Sequence, residues 1–505
     1  MGRDILSAVA EFGREKGLFD TENIIVGLSG GPDSVALLTI LTELADKTKA
    51  FPKIYAIHVN HNLRKEAKDD EALARKCCER LGVPCKIVSV DVKGYSAETG
   101  RSEEESGRIL RYKAFDDYSR QLLGDDFADR SRIAVAHHKG DLAETMMMNL
   151  FRGSGLEGLV SPAAVNGRII RPLLVLSKEE IIDFLDSRGI EYATDATNLM
   201  SDCTRNIWRN ELLPAIDRVS IKPAMKALSD TYSLLATDLD FLKQMTDETY
   251  EHIVIENTVS DFVYVRCDDL RSCHRAVGGR VMRRMWEKTF GDLVDFESLH
   301  MEKVFDLIGR SGATERSLDL GRGRCAVTAT GYLTFCKATD RTRAMCGVAR
   351  LMGLAVSYDD LSIPLKDIKN ANLPKTELHI KSLVVENIGA LEYNDLSWVF
   401  PMYAGDDREI LLTNGLPEAV FKRAGGNSSK KLHDLLADYK VPRSARTRVV
   451  VAVSGGEVLW IPGIGHAEGF TGTLSQKAWA ADPGHPGKAE RFIQVTMDYR
   501  DGTEC

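Results

Sequence analysis

Residues 23–38 read NIIVGLSGGPDSVALL: an apolar run, a short polar turn with two glycines, then a second apolar run at helical spacing. A β-strand that ends near Leu28 and a helix that begins at Pro32 or Asp33 account for this pattern, because proline suits the first helical turn and glycine the tight bend before it. Such a turn offers backbone N–H groups and the positive end of a helix dipole to an anion. Ser29 and Ser34 add hydroxyls. A kinase-type phosphate loop needs a lysine and a hydroxyl residue after its second glycine, and a dinucleotide fold needs GxGxxG. Neither is present, which excludes both readings.

Three further runs, KIYAIHVN (53–60), CKIVSVDV (85–92) and RIAVAHH (132–138), are rich in Val and Ile, and the stretches between the runs are long enough for crossover helices. Near-continuous apolar strands of this kind belong to a parallel sheet covered on both faces. The predicted class is a doubly wound α/β fold, with its ligand beyond the carboxyl ends of the strands. After Pro214 the pattern turns helical, through KPAMKALSDTYSLLATDLDFLKQMTDETYEHIV and HRAVGGRVMRRMWEKTF, and then β-like in SLDLGRGRCAVTATGYLTFCK. Residues 341–400 have mixed patterning. From 401 onward a small α+β unit is expected, with a helix in KKLHDLLADYK and strands in RVVVAVSGGEVLWIPG.

The chain of 505 residues is 44% hydrophobic and 28% charged, with a net charge of −8. No stretch approaches the roughly 18 to 20 unbroken apolar residues that span a bilayer. Its ten cysteines form no CxxC pair. The expectation is a cytoplasmic protein with reduced thiols and no membrane partner. The acidic balance speaks against a general nucleic-acid coat, not against local basic patches.

SGGPDS (29–34) resembles the pyrophosphate loop SGGxDS of the N-type ATP pyrophosphatases, the PP-loop superfamily with an adenine nucleotide alpha-hydrolase-like fold. Other stretches narrow the resemblance to the tRNA(Ile)-lysidine synthetases. HVNHNLR (58–64) is similar to their HVxHxLR segment, and EESGRILRYKAF to their ExxAR…RYxxF helix through Glu105, Arg108, Arg111 and Tyr112. AHHKGDLAETMMMNLFRGSGLEGL (136–159) is similar to AHHxDDxxET…NLxRGxGxxGL. DATNLMSDCTRNIWRNELLP (195–214) matches a further element through Asp195, Asn198, Arg205, Asn206, Arg209 and Pro214. The segment from Ser428 to Gly463 looks like the family's C-terminal domain. One departure stands out: the first of the family's paired aspartates is Gly140 here.

The resemblance implies a catalytic domain at 1–215, a mainly helical middle domain with a β-rich end at 216–340 that binds tRNA, a connecting region at 341–400, and a tRNA-binding C-terminal domain at 401–505. It implies that ATP adenylates the wobble cytidine of an isoleucine tRNA with a CAU anticodon, and that free L-lysine then displaces AMP. The expected nucleotide contacts are Ser29, Gly30, Gly31, Pro32, Asp33 and Ser34, with His58 and His137. The expected catalytic residues are Asp33, Asp141, Glu144 and Arg205, and Asp33 and Asp141 are the expected Mg²⁺ ligands. Arg108, Arg111, Arg152, Arg209, Lys430, Lys431, Arg443 and Arg446 are expected to face RNA. A sulfur-transferring relative is disfavoured by the missing CxxC, and a non-catalytic tRNA or nucleotide binder is the alternative of another class. Whether the chain forms a homodimer is left open by its residues.

Overall fold

In the computed structural model of the chain, residues 4–48, 50–61, 67–193, 207–256, 262–293, 296, 298–312, 314–358, 360–365, 370–372, 378–385, 397–402, 409–422, 429–466 and 491–499 are described. The chain divides into two compact units, Met1–Phe241 and Leu242–Cys505.

The first unit contains a six-stranded sheet formed by β1 (Asn23–Gly27), β2 (Lys53–Asn60), β3 (Cys85–Ser89), β4 (Ser131–Ala134), β5 (Val165–Asn166) and β6 (Ile169–Ile170), in the order β3-β2-β1-β4-β6-β5. All neighbours are parallel except the terminal β5–β6 hairpin. The expected doubly wound architecture is therefore present. Ile24, Ile25 and Val26 of the central strand are fully buried, which is why that strand reads as an unbroken apolar run. Each such side chain contributes about 1.5–3 kcal/mol by leaving water.

The helices of this unit are α1 (Ile5–Glu15), α2 (Pro32–Lys47), α3 (Ala67–Leu81), α4 (Val92–Thr99), α5 (Glu103–Leu123), α6 (Lys139–Phe151) and α7 (Lys178–Asp186), of which α2 to α6 connect strands of the sheet. The strand order reverses between β1 and β4, and this switch point is where open α/β sheets bind ligands. The turn after β1 and the residues after β4 both emerge there. The expected helix after Pro214 is α8 (Ala224–Ile253). No helix among the described residues is long and apolar enough to cross a membrane.

In the second unit an antiparallel sheet runs in the order Val254–Glu256, Val263–Arg266, Tyr332–Lys337, Arg324–Ala329, Arg316–Asp319. Helices Arg275–Phe290 and Ser298–Gly309 pack on it around the buried Trp286. The helix and the glycine-rich hairpin were legible in the sequence; the two short strands at 254–256 and 263–266 were not. Helix Arg341–Leu351 opens the region of mixed patterning. Farther on, strand Leu378–Val385 pairs with Arg491–Tyr499, more than a hundred residues away, so no local signal marks it. The C-terminal unit carries the expected helix at Leu432–Asp438 and strands at Val451–Ser454 and Glu457–Ile461. Glu315 joins the parts of this second unit: its carboxylate accepts from the Ser444 N–H at 2.9 Å and the Ser444 hydroxyl at 2.7 Å, and it pairs with Arg341 at 3.0 Å.

Candidate active site

The turn after β1 is locked by its own side chains. The Ser34 hydroxyl donates to the Gly31 carbonyl at 3.0 Å and accepts from the Ser29 N–H at 3.1 Å, with the Ser29 hydroxyl also 3.1 Å away. Gly30 has φ +91°, a left-handed conformation that a β-carbon would strain. Its carbonyl accepts from the Ala193 N–H at 2.9 Å, which ties the far end of the catalytic unit to the loop. Gly31 is the N-cap of α2 and Pro32 its first residue, so Asp33 stands in the first turn.

His58 lies beneath this loop. It is only 4% exposed, and its Nδ1 is 2.9 Å from the Leu28 carbonyl. This contact fastens the end of β1 to β2, and the sequence reading expects His58 at the nucleotide.

Asp33 does not stand alone. Both of its oxygens accept from the Lys178 ammonium, at 2.7 and 2.8 Å. His138 Nε2 lies 4.0 Å from Asp33 Oδ1 and 3.7 Å from Asp141 Oδ2. His138 is the N-cap of α6: its Nδ1 accepts from the Gly140 N–H at 2.9 Å, and Asp141 Oδ2 accepts from the His138 N–H at 2.9 Å. Ser177 and Glu180 cap α7 in the same reciprocal way, which places Lys178 at its first position. The Lys139 N–H donates to the Leu176 carbonyl at 2.9 Å, so α6 and α7 start side by side. The first turns of α2, α6 and α7 thus converge, and three positive helix ends face one spot.

Glu144 lies one turn further along α6 and is 2% exposed, so it is a buried carboxylate and not part of a solvated helix start. A side chain at Gly140 would press on the ring that caps α6. A β-carbon there would lie 2.5 Å from His138 Cε1 and 2.9 Å from its Nδ1. An aspartate there would require the capping ring to shift.

A second cluster flanks the first. Arg171, 4% exposed, donates from Nε to His137 Nδ1 at 3.2 Å and from Nη1 to the Ala163 carbonyl at 2.7 Å. Burial pulls its pKa below the usual arginine value, and the neighbouring Arg108 adds to that. The Arg108 guanidinium stacks over Tyr112 at 5.2 Å. His61 is held below its ordinary pKa first by burial, then by the neighbouring Arg111 and His58, and its Nδ1 meets no hydrogen-bond partner among the described residues. Arg108, Arg111 and Arg171 therefore bring positive charge to one end of the sheet, and His137 serves there as an acceptor for Arg171.

Arg152 is exposed just past α6. Arg205 and the side chain of Arg209 lie outside the described residues. Toward the C-terminus, the two lysines expected to face RNA are in exposed ion pairs. Lys430 pairs with Asp438, and Lys431 with Glu418 at 2.5 Å. Arg446 donates to the Val441 carbonyl at 3.1 Å, while Arg443 is exposed. Sequence reading missed Lys178 and Arg171. The SKEE capping box at 177–180 marked the helix start that positions Lys178, but nothing local connected it to Asp33.

A glycine turn at the switch point, a carboxylate with a paired lysine and three helix N-termini define an ATP-binding enzyme of the PP-loop type, and the PP-loop domain family matches residues 3–216. Residues 411–482 match the TilS substrate C-terminal domain. The chain is 30% identical over 453 residues to the tRNA(Ile)-lysidine synthase of Caldanaerobacter subterraneus subsp. tengcongensis, covering 89% of this chain and 91% of that protein. It is 28% identical over 488 residues to the enzyme of the same name from Geobacter sulfurreducens, covering 94% and 96%. A third, from Clostridium tetani, is 27% identical over 453 residues, covering 89% and 91%. The chain belongs to the tRNA(Ile)-lysidine synthase family and is an ATP-dependent ligase that modifies tRNA.

Proposed function

We propose that this enzyme joins L-lysine to C2 of the wobble cytidine in the CAU anticodon of isoleucine tRNA, converting it to lysidine and its codon from AUG to AUA. The observation that carries the reading is the match to lysidine synthases over 89% of the chain, with the phosphate loop in place at the switch point.

ATP sits with its β and γ phosphates against the Ser29–Ser34 turn and the three helix N-termini. The C2 oxygen of cytidine attacks the α-phosphorus, and pyrophosphate leaves. The lysine amine, after losing a proton, attacks C2, and AMP departs with the former carbonyl oxygen. Chemistry of this type depends on positioning and charge neutralisation more than on covalent groups. Lys178, which already neutralises Asp33, stands beside the leaving pyrophosphate. Asp141 and Glu144 supply carboxylates for the attacking amine, whose free pKa of about 10.4 requires a proton acceptor.

Mg²⁺ is commonly held by one or two carboxylates together with substrate phosphates. Asp33 and Asp141 fit that demand, since both approach His138 Nε2, within 4.0 and 3.7 Å, and Asp33 already attracts a cation. The metal would supply charge neutralisation on the phosphates. Arg205 joins the site on the strength of the family resemblance, and Arg108, Arg111, Arg152, Arg209 and Arg443 supply backbone contacts to RNA.

The test combines the full-length protein with ATP, Mg²⁺, labelled lysine and a tRNA(Ile) transcript bearing CAU. Label should enter the tRNA with stoichiometric AMP and pyrophosphate, and no label should enter when the wobble cytidine is replaced by uridine. Tight tRNA binding without pyrophosphate release would overturn the reading in favour of a non-catalytic binder.

A further inference from the structure

The last turn of α6 presents an aromatic surface that neither the core nor the nucleotide site uses. Phe151 ends the helix with 71% of its surface exposed, and Leu150 before it is 50% exposed. The Phe151 ring lies beside the Trp208 indole, with centroids 5.3 Å apart and planes inclined by 37°. Trp208 in turn packs on the cluster of Met147, Leu213 and Ala224. The turn beyond the helix is fixed. The Arg152 N–H donates to the Met148 carbonyl at 3.2 Å, Asn149 Nδ2 donates to the Gly158 carbonyl at 2.8 Å, and Gly153 takes a left-handed φ of +76°. A rigid turn thus holds an aromatic ring in water, although burying such a ring is among the larger gains a side chain offers. Exposed apolar surface of that kind marks a place where something else binds.

We propose that Phe151 and Trp208 form a stacking platform for an unpaired base of the tRNA anticodon loop. The inference rests on the tRNA-modifying activity of the family and deepens it. Single-stranded RNA is recognised by splaying bases onto aromatic faces, with cationic side chains holding the backbone. The cations are at hand. Arg152 follows Phe151 directly, and residues 207–226 carry Arg209, Arg218, Lys222 and Lys226 against Glu211 and Asp217. Asp217 is already taken as an acceptor for the Ala224 N–H.

The distance also suits this occupant. Asp141 and Phe151 stand at opposite ends of α6, roughly 15 Å apart along the axis at 1.5 Å per residue. A loop that delivers one nucleotide to the start of α6 can lay another, a few nucleotides along the strand, on the platform at its end. Holding that second base would fix the register in which the wobble cytidine enters.

The probe is a hairpin of the CAU anticodon stem and loop, carrying 2-aminopurine at one unpaired position after another, titrated with the full-length protein. One loop position should lose fluorescence on binding. Phe151→Trp should keep the quenching. Phe151→Leu, which preserves apolar bulk and removes the ring, should abolish it and weaken hairpin affinity about tenfold. ATP binding and Tm should be unchanged in both variants. Equal quenching and affinity in Phe151→Leu would overturn the platform. A change in sedimentation of Phe151→Leu from dimer to monomer, with hairpin binding intact, would overturn it too and assign the surface to a second copy of the chain. These are binding measurements, so quenching that persists while no lysine is incorporated would sink the proposed reaction and leave the platform standing.

Discussion

At the start of α2 a single carboxylate, Asp33, meets Lys178 at 2.7 Å, with His138 4.0 Å away and the Ser29–Ser34 turn beside it. On the C-terminal unit Lys430 and Lys431 stand in water next to Asp438 and Glu418. Both regions hold opposite charges in contact, yet they differ in what fixes them. In the first, capped helix ends and a left-handed glycine set where each charge must lie. In the second, long flexible side chains pair on the surface, where such contacts are usually worth less than about 1 kcal/mol. The backbone thus dictates the geometry of the first region, while the second is left to side-chain freedom.

The largest expected effect breaks the first region. Asp33→Ala should reduce lysine incorporation by about 10²–10³-fold, the scale of losing a preorganised electrostatic group, while tRNA affinity in a filter-binding titration stays the same. Retained incorporation would remove Asp33 from the catalytic set. Next, Gly30→Ala keeps every charge and disturbs only the φ of +91°. Strain of this kind costs about 1–3 kcal/mol, so kcat/KM for ATP should fall roughly tenfold or more with the Kd for tRNA unaltered. An unaffected kcat/KM would show that the turn tolerates reshaping.

Gly140→Asp tests whether the absent acid is a defect. Because the new β-carbon meets the His138 ring, the cap of α6 should be lost, costing about 1 kcal/mol and lowering Tm by calorimetry. No gain in rate should accompany it; a large one would mean that the ring moves aside freely and that the carboxylate was missed. The smallest effect belongs to the surface pairs. Each unpaired cation that releases a phosphate counterion adds about 0.9 to the slope of log affinity against log salt. Counting charges, Lys430→Ala with Lys431→Ala should lower that slope by nearly two such steps. Their ion pairs lead us to expect much less than one, and a full drop would restore both lysines to the RNA face.

These contrasts also explain what could be read in advance. The strands β1 to β4 and the phosphate turn were legible because parallel strands are apolar throughout and only glycine fits the bend at Gly30. The partner of Asp33 was not, since Lys178 is 145 positions away and meets it only when three helices start at one place. Nor was the buried post of His58 under Leu28, because a histidine at a strand end looks the same whether it faces ligand or backbone. The strand at 378–385 was hidden for a related reason, its partner being the chain's far end.

The contact between Lys178 and Asp33 has a consequence for ligand binding. The Lys178 ammonium is a counter-ion to Asp33, and on the proposed function an incoming nucleotide would draw it away from the carboxylate. The ATP affinity in solution would then be an exchange equilibrium, net of the pair that is separated. Added salt loosens the pair and screens the phosphates at once, two effects of opposite sign. Nucleotide binding should therefore respond only weakly to ionic strength, even where tRNA binding falls steeply.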